Sequence, residues 1–277
     1  MSQRKIAFFG QSENTFNRQL GFMESYLVLS YGAVVGAVCV MFIGGFLKGA
    51  TGFGMPMIVV SGMSFLTDPK MIVASLVLPL LVTNLIQIAR GGLRTALSVL
   101  REHWRYILLV CIGVIVSSQF IMYVESRMMY LLLGGPIVAL SFVQLLGVRC
   151  QISDQSSKGF ETVASLTSGV LGGLAGSWGP PTVLYLLAVN TPKAKQMIVQ
   201  GVIYGCGSVV LLVGHLQSGL LTEKTLGLSA FFVIPAILGM AFGFRFGDRM
   251  NHEIYRKTTL ALLLLIGANL VGRGATF

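Results

Sequence analysis

The most constraining feature of this chain is a succession of ten apolar stretches, with the charged residues confined to the segments between them and to the ends of the stretches. Of its 277 residues, 54% are hydrophobic and 11% are charged, whereas a soluble domain carries roughly 25% charged residues. A helix of about 20 apolar residues crosses a bilayer, so the pattern predicts an all-α polytopic membrane protein. The stretches are 26–47, 55–66, 71–89, 106–124, 128–148, 160–175, 180–189, 197–216, 225–244 and 255–271.

Two glycine clusters that end in proline interrupt this pattern. The first is 44–56 (GGFLKGATGFGMP) and the second is 172–181 (GGLAGSWGPP). Glycine and proline break or kink helices, and broken backbone at membrane depth is tolerated only where it is buried in protein or lines a watery cavity. Such breaks at corresponding positions of two halves are typical of a transporter's binding site.

The order of features after each cluster indicates a duplication. A Pro-Lys turn follows (69–70 and 192–193), and three apolar spans come next. This order predicts a tail at 1–25, a first membrane repeat at 26–148, a connector at 149–159 and a second repeat at 160–277. The glycines of both clusters repeat at spacings of four and three residues: Gly45, Gly49 and Gly52, then Gly172, Gly176 and Gly179.

The charges in the connections predict that the repeats have inverted topology. Connections 90–105 and 245–257 hold four Lys or Arg each, whereas their counterparts 217–224 and 125–127 hold one each. Positive loops stay in the cytoplasm, so corresponding loops would lie on opposite faces. Each repeat is then a broken-helix hairpin plus three transmembrane helices, eight to ten segments in all. A parallel arrangement with four crossings per half remains the alternative.

Lys48 is the one Lys or Arg within either glycine cluster. A charge buried there costs about 2.5–3.5 kcal/mol on insertion scales, which favours an anion-attracting role over snorkelling into water. The glycine spacing places Ala175 at the matching position, so the predicted site is asymmetric.

Further candidates lie around the breaks and on the helices that follow them. Helices beginning after Gly54 and Gly179 would present amide groups and a positive dipole end to an anion. Nearby hydroxyls either donate to substrate or bond back to their own helix, and the amides one turn apart either contact substrate or join helices. His215, near a helix end, is expected to be interfacial. The candidate substrate-binding residues are Lys48, Thr51, Gly52, Phe53, Gly54, Asn84, Gln87, Ser177, Trp178, Gly179, Thr182, Gln200 and Tyr204.

Several function classes are disfavoured. The Cys and His residues have no metal-ligand spacing, so no metal or cofactor is expected, and no hydrolase motif predicts an enzyme. The basic residues lie in connections rather than in a nucleic-acid patch. All ten carboxylates lie in the tail, connections or segment ends, so passive, potential-assisted anion movement is expected. The predicted partners are a small anionic substrate and membrane lipid; a homodimer is left open.

The motifs at 49–54 (GATGFG) and 176–181 (GSWGPP), with the Pro-Lys turns, resemble those of the TauE/SafE family of sulfite exporters. The resemblance extends over almost the whole chain after residue 25. It implies a multi-pass transporter of the bacterial inner membrane that exports small sulfur-containing anions such as sulfite or sulfoacetate. At 53–56, FGMP stands where many members have a run of glycines. A carrier of another small organic anion is therefore one alternative. An anion channel is the other, because no carboxylate lies where it could couple transport to an ion gradient.

Overall fold

A computed structural model describes residues 31–145, 157–189, 191, 193–249 and 252–276, and every regular element in these ranges is an α-helix. The chain divides into two compact units, 1–37 and 38–277. The predicted tail and most of the predicted connector lie outside the described residues. The helices are α1 Tyr31–Thr51, α2 Met55–Met63, α3 Pro69–Gly91, α4 Leu93–Glu102, α5 Trp104–Phe120, α6 Ser126–Leu145, α7 Ser157–Ala175, α8 Gly179–Ala188, α9 Lys193–Gln217, α10 Glu223–Arg249 and α11 His252–Thr276.

Four of these helices, α1, α3, α9 and α10, are long and apolar enough to cross a membrane. Helix α5 is a shorter apolar helix. The predicted class, an all-α multi-pass membrane protein, is therefore confirmed for the part of the chain that the structure describes.

The first interruption is shorter than the sequence predicts. The apolar stretches predict breaks at 48–54 and 176–179. Helix α1 continues to Thr51, whereas α7 ends at Ala175 as predicted, so only residues 52–54 and 176–178 of the two clusters leave the helical path. The earlier glycines stay helical because they allow close helix packing. A Cβ added at Gly49, for example, would overlap the backbone of Met240 on α10.

Each interruption is the tip of a helical hairpin. Helix α2 folds back along α1, so a Cβ added at Gly44 would lie 2.8 Å from Val59 and one added at Gly62 would lie 2.7 Å from Val40. Helix α8 folds back along α7 in the same way, with the Ser168 hydroxyl donating to the Trp178 carbonyl at 3.0 Å.

Helices α3 and α9 pack against each other in antiparallel directions. Asn84 Nδ2 lies 3.4 Å from Ser208 Oγ, while the end of α3 meets the start of α9 where Gly91 packs on Ile198. Helices α6 and α11 are also antiparallel, because residue 134 packs on 267–271 whereas residue 131 packs on 274.

Two further pairs run parallel and use glycine contacts throughout. Helix α1 packs on α10, with residues 42, 46 and 50 against 239, 243 and 247. Helix α5 packs on α7, with residues 110–114 against 169–173. The first helix of each hairpin therefore packs on a helix of the other half: α1 packs on α10, and α7 packs on α5.

A proline inside α3 is compensated by a serine of α10. Pro79 has no N–H, so the carbonyl of Ser75, four residues earlier, loses its helical partner. The Ser229 hydroxyl donates to that carbonyl at 3.1 Å and accepts from the Leu78 N–H at 3.0 Å. A proline inside a membrane helix is tolerated where, as here, a neighbouring side chain bonds the carbonyl that the proline leaves without a partner.

The connection 90–105, predicted as a loop, contains the ten-residue helix α4. Its apolar side, with Ala96 and Val99, is buried, while Leu93 and Leu97 are exposed. The segment is too short and too charged to be predicted as an apolar span. Its apolar residues nevertheless repeat every three to four positions, as in a surface helix.

Two ion pairs connect helices at the end of the bundle where α4 lies. Arg90 at the end of α3 pairs with Asp248 at the end of α10, with 2.6 Å between nitrogen and oxygen. Lys195 at the start of α9 pairs with Glu102 of α4 at 2.5 Å, and this hydrogen bond lowers the pKa of Glu102. The two positively charged connections therefore lie at the same end of the bundle.

Candidate functional site

The two hairpin tips meet at one narrow cavity of about 10 Å³. A space of this size holds at most about one water molecule, so the site is collapsed in this conformation. Leu80, the twelfth of the 23 residues of α3, places the cavity at half the length of that helix. The residues that line it are Lys48, Phe53, Gly54, Pro56, Met57, Leu80, Gly176, Ser177, Trp178, Gly179 and Tyr204.

All thirteen candidate residues are buried, and seven of them line this cavity. The structure thus brings together residues from both hairpins that are more than 120 positions apart in the chain. Six candidates do not line the cavity but surround it: Thr51, Gly52, Asn84, Gln87, Thr182 and Gln200. The lining residues that the sequence analysis missed are Pro56, Met57, Leu80 and Gly176, of which the last belongs to the quoted glycine spacing.

Both helix ends use a glycine in the left-handed region. Gly52 (φ +85°) follows α1 and Gly176 (φ +65°) follows α7. Each N–H closes the last turn on a carbonyl four residues earlier, at 2.7 Å, in one case Lys48 and in the other Gly172. Only glycine adopts this conformation without steric cost, so the interruptions are built into the sequence.

This geometry corrects the predicted match between the halves. Lys48 corresponds to Gly172, not to Ala175, because these two residues hold the same position relative to the helix end. A side chain at position 172 would overlap the Trp178 indole. The second hairpin therefore places the Trp178 ring where the first hairpin places an ammonium group. The site is asymmetric because of this ring, not because Ala175 matches Lys48.

Lys48 lies one turn before the end of α1, and its side chain is only 2% exposed. Its ammonium donates to Asn84 Oδ1 at 2.5 Å and lies 5.7 Å from the centroid of the Tyr204 ring. No Asp or Glu among the described residues forms an ion pair with it. The other Lys and Arg side chains for which burial is described are at least partly exposed.

An aromatic stack links the ammonium group to the second hairpin. The Tyr204 and Trp178 rings are stacked with centroids 5.9 Å apart and planes 19° apart. Lys48 lies over the Tyr204 face, where an aromatic quadrupole attracts a cation. Trp178 Nε1 is buried without a hydrogen-bond acceptor among the described residues.

The amide side chains join helices at the site. Asn84 Nδ2 donates to the Tyr204 carbonyl at 3.0 Å, and Gln87 Nε2 donates to the carbonyls of Met197 and Gly52 at 2.7 and 3.2 Å. These bonds match the interhelical alternative for the two residues. The Oε1 atoms of Gln87 and Gln200 are buried without a donor in the described part of the chain.

Two of the hydroxyl candidates, Thr51 and Thr182, form hydrogen bonds within the protein. Thr51 Oγ1 donates to its own helix at the Leu47 carbonyl (2.8 Å), the back-bonded alternative. Thr182 bonds instead to Tyr106 on α5 (3.1 Å) and to Ser168 on α7 (2.9 Å). No sequence signal distinguished Tyr106, which begins an apolar span, as a residue that supports the site.

The N-termini of α2 and α8 offer fewer amide donors than the sequence predicts. Pro180 and Pro181 have no N–H, and the N–H of Thr182 already bonds the Trp178 carbonyl. Pro56 removes a donor from the first turn of α2 in the same way. Prolines fix the backbone of a first helical turn, so the positive dipole ends remain while the number of donors falls.

The expectation that His215 is interfacial is wrong. Its side chain is fully buried, and Nε2 donates to the Gly173 carbonyl at 2.9 Å. The interruption after Ala175 frees that carbonyl, because the Ser177 N–H bonds the Leu171 carbonyl instead. A histidine two residues before the end of α9 thereby caps α7.

Gly52→Ala should destabilise the protein more than Gly219→Ala. Both glycines have positive φ, so each alanine costs about 1–2 kcal/mol in backbone strain. Only at position 52 would the methyl group overlap a side chain, that of Gln200, whereas position 219 has open space. Thermal unfolding in detergent should give an additional loss of about 1 kcal/mol for Gly52→Ala. Equal losses of stability in the two variants would mean that the first hairpin tip rearranges around the new methyl group without a measurable cost.

The comparison with known families supports the resemblance noted in the sequence. The family model described as "Sulfite exporter TauE/SafE" matches residues 37–270, a range that includes both hairpins and the cavity. No curated protein and no solved structure matches the chain. Since the match covers most of the sequence, the chain belongs to the TauE/SafE sulfite exporter family of multi-pass membrane transporters.

Proposed function

We propose that this protein exports small sulfur-containing anions such as sulfite or sulfoacetate across the bacterial inner membrane. The anion would bind between the two hairpin tips, near half membrane depth. One observation carries the proposal: the Lys48 ammonium is buried at the cavity and has no carboxylate partner among the described residues.

An unpaired charge at this depth is unfavourable, so it needs a functional explanation. Asn84 and Tyr204 supply a dipole and a π-face, and neither neutralises a full charge. A bound anion would do so, and the N-terminal ends of α2 and α8 at the same cavity would add positive potential. The site therefore favours a negatively charged ligand over a neutral or cationic one.

Helix packing supports the inverted repeat that such a mechanism needs. By chain order after each hairpin, α3 corresponds to α9 and α6 to α11, and both corresponding pairs run antiparallel. Exchanging the halves also converts the parallel pair α1–α10 into the parallel pair α7–α5. A two-fold pseudo-axis in the membrane plane would produce these relations, whereas an axis along the membrane normal would leave corresponding helices parallel.

The small volume of the cavity supports alternating access rather than a standing pore. A volume of about 10 Å³ admits no sulfite, so transport requires one hairpin to move relative to its partner helices. The binding site would then open first to one side of the membrane and then to the other.

Uptake by proteoliposomes should test this function. Purified protein should catalyse saturable flux of sulfite, and preloaded sulfite should accelerate the entry of labelled substrate, as expected of a carrier. Thiosulfate, sulfoacetate and acetate would serve as competitors. Non-saturating flux would instead indicate a channel. Flux of acetate in preference to every sulfur compound would indicate a carrier of other organic anions, and absence of anion flux would contradict the proposal.

A further inference from the structure

We propose that the cavity selects anions with a single negative charge, so that it accepts hydrogen sulfite or an organic monosulfonate and rejects sulfate and the sulfite dianion. This inference rests on the proposed function and narrows its substrate class. It follows from the charge of the cavity, from its hydrogen-bond donors and from its walls.

The lining carries one formal charge. Of its eleven residues, Lys48 is the one Lys or Arg, and no Asp, Glu or His is present. Ser177, Tyr204 and the indole N–H of Trp178 are the neutral polar groups, and the remaining lining is apolar or glycine. A singly charged anion therefore makes the occupied site neutral, whereas a dianion leaves it with a net negative charge.

Charged groups farther along the surrounding helices are already paired or lie away from the site. Arg90 of α3 is paired with Asp248 of α10. His215 of α9 bonds the Gly173 carbonyl, and Tyr185 of α8 stacks on Tyr106 with centroids 4.5 Å apart. Helix α2 has no titratable side chain. None of these groups supplies a second positive charge to the cavity.

Electrostatic scaling then decides between the two charge states. The attraction between an anion and one fixed cation grows in proportion to the anion's charge, whereas the cost of removing the anion from water grows as the square of that charge. Doubling the charge therefore doubles the gain and quadruples the cost. A buried site with one cation favours the monoanion.

The donors and walls point in the same direction. A dianion needs many hydrogen-bond donors, but Pro56, Pro180 and Pro181 remove N–H groups from both helix N-termini. Phe53 and Trp178 contribute aromatic surface. Such walls suit a weakly hydrated ion that carries an apolar substituent. The same reasoning makes sulfoacetate, with its two anionic groups, a weaker ligand than methanesulfonate.

The test compares methanesulfonate with sulfate, two tetrahedral anions of similar size with one and two charges. Binding to the purified full-length protein would be measured by calorimetry between pH 6 and 8, together with sulfite. Methanesulfonate should bind at least about 100-fold more tightly than sulfate, with an affinity that changes less over this pH range than the affinity for sulfite does. Sulfite affinity should fall as pH rises, in proportion to the fraction present as hydrogen sulfite.

The outcomes separate this inference from the function on which it rests. If sulfate binds as tightly as methanesulfonate, or sulfite binds more tightly at high pH, the charge rule is wrong while the anion site stands. If methanesulfonate affinity falls with pH as steeply as sulfite affinity, the protein titrates rather than the ligand, and the charge rule is again overturned. If none of the three anions binds, the proposed function fails.

Discussion

Lys48→Met should weaken methanesulfonate binding at least about 100-fold while the protein remains folded. Methionine has a similar length and fills the same space, but it removes the one buried ammonium at the cavity. Methionine removes the cost of burying an unpaired charge, but it leaves Asn84 Oδ1 without its donor, which costs about 1–3 kcal/mol. These two effects oppose each other, so the thermal unfolding temperature should change little, although binding measured by calorimetry is lost.

The matched control for this variant is Lys195→Met. Lys195 pairs with Glu102 near the end of the bundle, and its side chain is 37% exposed, so its removal should leave anion binding unchanged. Such partly exposed pairs contribute little to stability. Equal affinity in the Lys48 variant and the unmodified protein would exclude Lys48 from the site. Equal loss in both variants would indicate long-range attraction rather than a local contact.

Gly243→Val should prevent stable folding, with a loss of at least about 3 kcal/mol. Gly243 faces α1 so closely that any Cβ would overlap the carbonyl of Phe46. A branched side chain would separate α1 from α10, and the first hairpin would lose the surface on which it rests. Monodispersity in detergent and the thermal unfolding temperature would both report this loss.

Gly227→Val provides the control within the same helix. Gly227 also lies in α10, but nothing is within 4 Å of a Cβ added there. Valine is an ordinary residue in a helix exposed to lipid, so this variant should change stability by less than about 0.5 kcal/mol. Similar losses in both variants would show that helix propensity, not the close approach of α1, controls the effect.

Much of the architecture could be predicted because it is encoded locally. Runs of apolar residues mark the long helices α3, α9 and α10, and glycine followed by proline marks both interruptions. The Asp68 side chain caps α3 by accepting from the Lys70 N–H at 2.8 Å, which explains why the first Pro-Lys turn starts a helix. Lys48 stood out because a charge in an apolar segment is costly.

The remaining features depend on contacts between distant segments. Whether Gly45 and Gly49 break a helix or pack one depends on α10, which the local sequence does not contain. Tyr106 and Ser168 support Thr182 from two other helices, and neither has a recognisable motif. His215 lies near the end of α9 but is covered by α7, so its position along the helix misled the prediction.

The single charge of the cavity also determines where the membrane voltage acts. When a monoanion sits beside Lys48, the loaded site is electrically neutral, and its passage outward is indifferent to the field. The empty site carries +1 on the way back, and an interior-negative voltage pulls it inward with up to about 2.3 kcal/mol per 100 mV. The membrane voltage would thus accelerate the return of the empty site, so that an exporter of this design works more slowly when the membrane is depolarised.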